Sequence, residues 1–250
     1  MTTITTRKNP VIVRKPKLET WSWSQIISEY VPTGWQKIFN KTTDERRDIA
    51  QVLSEKVLDR KGDLFPAKEH LYHAFDLVPF DQVKVVILGQ DPYPQPGKAQ
   101  GLAFSLSPKD RQIPGSLNNI YREIKREYPD FNVPNHGDLR GWTKQGVLLI
   151  NMALTFPAGG RPGAHLGVWR PFLVKTLREM VEQNPDLIFV LWGNEAQKVA
   201  QYLDNSIKLV SGHPSPQAVN RGGDFIGNGH FTKINEILVD KGEEPINWQL

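Results

Sequence analysis

The stretch Val85-Val86-Ile87-Leu88-Gly89-Gln90-Asp91-Pro92-Tyr93 decides the fold. An apolar, β-branched run of this kind suits a strand buried on both faces of a parallel sheet. The run stops at a glycine, and a polar cluster built around one carboxylate follows. In open α/β sheets, ligands collect outside the carboxyl ends of the strands. A second stretch, Leu209-Val210-Ser211-Gly212-His213-Pro214-Ser215-Pro216, delivers a histidine in the same manner. One acid and one imidazole at two strand ends point to an enzyme.

Working outward, Thr43 is a candidate cap for a helix from Asp44 to Leu58, with Ile49, Val52, Leu53 and Val57 on one face. A shorter helix is expected over Ala67–Phe75, the first strand over Val83–Leu88, and a short strand over Leu102–Leu106. Ser116 is placed to cap a helix over Leu117–Glu127. Val147–Ile150 reads as a strand ending at Asn151, Pro171–Gln183 as a helix, and Leu187–Leu191 as a strand. Trp192-Gly193-Asn194 opens a helix over Glu195–Tyr202, Ile207–Val210 is the last strand and Phe231–Val239 the last helix. Strands alternating with helices imply a central, mostly parallel four-stranded sheet flanked by helices on both faces, an α/β fold in a single domain. Right-handed crossovers bring the loops after the strands to one edge. Asp91, Tyr93, Ser116, Asn151, Asn194 and His213 should therefore converge there.

Composition narrows the function classes. At 250 residues, with 23% charged and 39% hydrophobic residues, the chain suits a water-soluble domain with a sizeable core. No apolar run approaches the ~18 residues that would span a bilayer, and the start lacks a signal-peptide core, so a cytoplasmic location is expected (nuclear if the source is eukaryotic). Net charge is +4, a mild tilt toward a polyanionic partner. Arg7, Lys8, Arg14, Lys15 and Lys17 precede any acid, which marks residues 1–20 as a flexible basic leader and 21–250 as the catalytic domain. The leader reads either as a solvated tail or as an electrostatic arm. The absence of cysteine excludes disulfides, thiolate metal sites and cysteine nucleophiles. The glycines after the first strand match no dinucleotide or mononucleotide fingerprint. His70 and His73 suit a helix surface better than a metal. The chemistry is expected to need no metal and no cofactor.

Gly89-Gln90-Asp91-Pro92-Tyr93, with Pro96 through Ser105 behind it, resembles the water-activating loop of family 1 uracil-DNA glycosylases. His136-Gly137-Asp138-Leu139, Trp142 and Gln145 through Asn151 resemble that family's uracil-reading strand. His213-Pro214-Ser215-Pro216 resembles its minor-groove loop, and Glu244-Pro245-Ile246-Asn247-Trp248 its close. Motifs in this order span from about residue 64 to the C-terminus.

The resemblance implies a glycosylase that flips uracil out of single- or double-stranded DNA and hydrolyses its N-glycosidic bond. Asp91 would stabilise the cationic sugar and position or deprotonate the attacking water. A neutral His213 would donate to uracil O2, with the Gln90 backbone assisting. Asn151 would read O4 and N3–H, Phe104 would stack on the base, and Tyr93 would exclude the thymine methyl. Flipping costs a few kcal/mol, offset by backbone contacts. Ser116, Gly193, Asn194 and Ser215 are the expected phosphate contacts, with Gln217 in the groove and Arg221, Lys98 and Lys198 adding charge. A DNA-mimicking inhibitor protein is an implied partner, and the enzyme is expected to be monomeric.

Four positions depart from the family pattern. Gln217 stands where relatives usually place a wedge leucine, and the loop from Gly223 to Gly227 is longer than usual. Pro94 stands where a histidine is common, and Asn194 replaces a serine. All four lie on the expected DNA face. Two rival functions remain: a free-nucleoside hydrolase, and a non-catalytic DNA-binding module. Many phosphate-holding loops argue against the first; the pairing of Asp91 with His213 argues against the second.

Overall fold

The apolar runs form the central strands in a computed structural model that describes residues 17–54 and 64–250. The leader expected over 1–20 lies outside the described residues up to 16, as does the far end of the helix expected to reach Leu58. Three helices come first: α1 (Trp23–Glu29), α2 (Gln36–Lys41) and α3 (Thr43–Leu53). The chain continues through β1 (Leu64–Phe65), α4 (His73–Leu77), β2 (Val85–Gly89), α5 (Gly115–Glu127) and α6 (Arg140–Thr143). Then come β3 (Val147–Asn151), β4 (Phe156–Pro157), α7 (Leu166–Gln183), β5 (Ile188–Trp192) and α8 (Asn194–Gln197). It ends with β6 (Ile207–Ser211), α9 (Pro216–Asn220) and α10 (His230–Asp240).

The main sheet has the order β3-β2-β5-β6, and every pairing is parallel. All residues of β2, β3 and β5 are buried, whereas the edge strand β6 is half-exposed. Burial on both faces is why those three read as unbroken apolar runs. The chain places β3 on one side of β2 and then returns to place β5 on the other. This topological switch opens a crevice beyond the carboxyl ends. Register puts Gly89 beside Asn151 and Trp192 beside Ser211.

Several boundaries differ from the sequence reading. Leu102–Leu106 is not a strand; it makes one isolated bridge, Ala99 with Leu106, and turns back through Phe104 at φ +61°. Thr43 is the first residue of α3, and its hydroxyl bonds back to the Asn40 carbonyl instead of capping. Ser116 lies inside α5, whose N-cap is Pro114. The helix expected over 67–75 divides into a 3-10 turn, Lys68–His70, and α4; that over 195–202 divides into α8 and a 3-10 turn, Ala200–Tyr202. α7 begins before Pro171, because the amide that proline lacks would only have reached the solvent-exposed Gly167.

The helices α1 and α2 were not anticipated. Ser22 and Gln25 cap α1 reciprocally, Ser22 Oγ accepting from the Gln25 amide at 3.1 Å and Gln25 Oε1 from the Ser22 amide at 2.9 Å. Phe39 of α2 packs among Trp35, Tyr72, Phe75 and Phe172. Arg46 of α3 is buried beneath them. Its guanidinium donates to the carbonyls of Tyr30 (3.0 Å), Ile27 (3.3 Å) and Phe39 (3.3 Å) and lies over the Phe39 ring. It thereby satisfies carbonyls at the ends of two helices.

Arg46→Ala would leave the Tyr30 carbonyl without its donor and take one donor each from Ile27 and Phe39, which keep the Tyr72 hydroxyl and the Thr42 amide. A loss of about 2 kcal/mol is expected in urea unfolding. Arg46→Lys should recover less than half of it, since a point charge cannot reach all three. Full recovery by lysine would show that charge alone matters.

Candidate active site

The site begins with an absence of side chain. A Cβ on Gly89 would sit 2.3 Å from Asn151 Oδ1 and 2.8 Å from the Ala103 Cβ. Only glycine lets the Asn151 amide lie against the end of the neighbouring strand. Asn151 is buried, and its amide makes no side-chain hydrogen bond among the described residues, so it faces the cleft with both polar atoms available.

One turn beyond Gly89, Asp91 is held through a single oxygen. Its Oδ2 accepts from Gln90 Nε2 at 2.7 Å and from the Gly163 amide at 2.8 Å. Its Oδ1 is buried with no protein partner. Burial raises the pKa of this carboxyl, and the bonds from Gln90 and Gly163, with nearby His165, only partly offset that. The carboxylate is thus oriented on one side and unsatisfied on the other.

His213 follows β6. Beneath it, Gly193 adopts φ +85°, and a Cβ there would lie 2.8 Å from that of His213. The Ser215 amide donates to His213 Nδ1 at 3.0 Å, which assigns the ring proton of the neutral form to Nε2. Burial also lowers the ring's pKa, so the imidazole is neutral. Phe104 stands beside it, ring centroids 6.2 Å apart, and packs on Trp192 at 5.8 Å. The left-handed backbone of Phe104 is steadied by the Tyr93 hydroxyl, which donates to its carbonyl at 2.9 Å. Tyr93 in turn packs on a small cluster of Phe65, Ala99 and Phe156, formed where β1 pairs with β4.

These groups share one cleft of about 610 Å³, lined by Gln90, Asp91, Tyr93, Phe104, Ser116, Asn151, His213, Ser215 and Gln217. Gly193 and Asn194 line an adjoining cleft of about 340 Å³, which shares Gln90 and His213. Arg221 lines neither and is exposed at the end of α9. Two neighbouring loops interlock at the rim: a Cβ on Gly115 would meet the Pro216 ring at 2.4 Å, and Asn119 Nδ2 donates to the Pro214 carbonyl at 2.8 Å. Ser215 Oγ caps α9 by accepting from the Ala218 amide. Lys98 lies 3.6 Å from Asp110 and Lys198 2.5 Å from Glu195, so neither is a free cation.

Sequence reasoning missed the back wall. The Gly163 amide orients Asp91, and a buried chain runs from Trp169 Nε1 to Thr155 Oγ1 (2.7 Å) and from Thr155 to His165 Nδ1 (2.8 Å). The signal was the run Ala158-Gly159-Gly160-Arg161-Pro162-Gly163-Ala164, a loop too rich in glycine to be filler. Its position behind Asp91 depends on the crossing from β3 to α7.

Comparison with known proteins matches residues 75–239 to the model of the uracil DNA glycosylase superfamily. The chain is 42% identical over 226 residues to the uracil-DNA glycosylase of Dichelobacter nodosus, covering 88% of this chain and 96% of that protein. It superposes on the crystal structure of mimivirus uracil-DNA glycosylase with a TM-score of 0.82 and 29% identity, covering 94% of each chain. A variant of the mimivirus protein, crystallised in complex with UGI, gives the same TM-score and identity over 92% of each chain.

The His213 tautomer is open to direct measurement. Nitrogen NMR of ring-labelled protein should show Nε2 protonated, Nδ1 bare, and a titration below the ordinary 6.5. A proton on Nδ1, or a titration above 6.5, would contradict the assignment.

Proposed function

The chain belongs to the uracil DNA glycosylase superfamily, and on that premise we propose that it turns uracil out of DNA and hydrolyses the bond between the base and C1′ of its sugar. The product is an abasic site, as in base excision repair. The observation that carries this reading is the single cleft onto which the unsatisfied Asp91 carboxylate and the neutral His213 ring both open, with Asn151, Phe104 and Tyr93 around them.

As the bond stretches, positive charge grows on the sugar and negative charge on the base. Asp91 stabilises the first, and its partnerless Oδ1 accepts a proton from the attacking water. The His213 Nε2–H donates to uracil O2 as charge gathers there, with Gln90 alongside. The Asn151 amide donates to O4 and accepts from N3–H. Cytosine presents the reverse pattern and would leave buried polar groups unpaired. Phe104 offers a flat face to the base, and Tyr93 fills the space beside C5, where thymine carries a methyl. The motifs contain no lysine placed to form a Schiff base, so the enzyme is monofunctional.

On the DNA side, Ser116, Gly193, Asn194 and Ser215 contact phosphates through hydroxyls, an amide and exposed N–H groups. Gln217 enters the gap left by the flipped base, and Arg221 adds salt-dependent attraction. Because Gln217 remains hydrated and stacks poorly, single strands are the better substrate. The mimivirus complex with UGI supports an inhibitor protein as a further partner. The enzyme acts as a monomer, in the cytoplasm or, in a eukaryote, the nucleus.

Release of free uracil from an oligonucleotide containing one deoxyuridine tests the reading, and Asp91→Asn should slow it by about 10²–10⁴-fold. Full turnover by that variant would remove Asp91 from the chemistry, and uracil released only from free deoxyuridine would favour a nucleoside hydrolase. Protonated Asp91 cannot serve, so the single-turnover rate should fall on acidification, with a midpoint above the ordinary carboxylate value near 4. Gln217→Leu should raise activity on duplex relative to single strands; an unchanged ratio would count against the wedge position.

A further inference from the structure

The loop that follows α9 returns to the catalytic histidine. Asp224 Oδ1 accepts from the Gly212 amide at 2.5 Å, one residue before His213. The fit is mutual, since a Cβ on Gly212 would lie 2.7 Å from that same oxygen and push the carboxylate away. The loop is itself anchored on both sides of Asp224. The Gly223 amide donates to the Ala218 carbonyl at 3.0 Å, and a Cβ on Gly223 would stand 2.8 Å from that carbonyl. Phe225 is fully buried edge-on against Trp192, ring centroids 5.1 Å apart.

Building on the proposed glycosylase reading, we infer that Asp224 is a positioning residue for His213. The histidine is fixed at its ring by the Ser215 amide and beneath by Gly193, while the Pro214 carbonyl is tied to Asn119. The chain entering His213 is held at Ser211, whose carbonyl accepts from the Gly193 amide and from Gln197 Nε2, and the Gly212 amide that follows is held by the Asp224 carboxylate. Gly212, with no side chain and broad backbone freedom, would otherwise let that entry swing. A donor that acts on charge developing in the transition state must be held to within a few tenths of an ångström, and about 1 Å of misplacement can cost 10²-fold in rate. Asp224 is exposed on the face proposed to meet DNA phosphates, where a carboxylate opposes binding. Its placement there is accounted for by what it does for the loop.

The test compares single-turnover uracil release and DNA affinity in Asp224→Ala, Asp224→Asn and Gly212→Ala. If Asp224 positions His213, Asp224→Ala should lower the chemical rate by about tenfold or more. Asp224→Asn retains an acceptor for the Gly212 amide and should restore most of that rate. Gly212→Ala should reproduce the defect, and the double alanine variant should be no worse than either alone. If Asp224 contributes only charge, both Asp224 variants should bind DNA more tightly with an unchanged chemical rate, which would overturn the inference; so would an asparagine variant as impaired as the alanine one. A readout independent of activity is amide exchange at Gly212 and the His213 Nε2–H signal. Both should loosen in Asp224→Ala and not in Asp224→Asn; unchanged protection would refute the positioning role even in a protein that releases no uracil. Failure of the wild-type chain to release uracil would instead refute the glycosylase reading.

Discussion

The bare backbone at Gly89 is the constraint on which the cleft depends. Parallel pairing places it beside Asn151, and the amide occupies the volume that any side chain at 89 would take. The neighbouring turn at Ala103 closes in from the other side. The same residue ends β2 and releases the chain into Gln90 and Asp91. One position thus sets where the amide sits and where the carboxylate emerges. A substituted residue there would have to displace Asn151 or reopen the pairing of two fully buried strands.

Burial then acts on the two titrating groups in opposite senses. Removing water disfavours whichever form is charged, so it raises the Asp91 carboxyl and lowers the His213 imidazole. The acid resists the full effect because two donors grip Oδ2. The imidazole is met at Nδ1 by a backbone amide, which needs a bare nitrogen, so hydrogen bonding and burial agree on the neutral form. Behind them, Trp192 Nε1 donates to His230 Nδ1 at 3.0 Å, and burial pushes His230 down to about 4. The cleft therefore holds a directed carboxylate and a neutral imidazole, the arrangement on which the proposed chemistry rests.

The rim is organised by backbone fit more than by free cations. α5 and α9 meet where Gly115 admits the Pro216 ring, and Asn119 binds the loop between them. Lys98 and Lys198 are each compensated by an acid. From the far end of α5, Glu123 accepts from the Gly227 and Gly229 amides and Glu127 from that of Thr232, which secures the approach to α10. Both loops are thus braced from one helix. Exact spacing at this rim comes from contacts between residues roughly a hundred positions apart.

What the sequence determined on its own was the set of buried parallel strands and the residues at their ends. Runs such as Val85–Leu88 and Val147–Ile150 need both faces covered, and their glycine or polar endings state where the chain leaves the sheet. Asp91, Asn151 and His213 were therefore legible by position, and the family resemblance implied the roles proposed for them. The tertiary structure alone decided that Leu102–Leu106 turns back instead of forming a strand, that Ser116 lies inside the helix it was expected to cap, and that Gly163 and His165 back Asp91 while Asp224 holds Gly212. Arg46 was equally silent, since an arginine reads as surface until three helix-end carbonyls are seen around it. The physical reason is range: strand burial is written in neighbouring side chains, whereas hydrogen bonds across 12 or 72 residues exist only once the chain has folded.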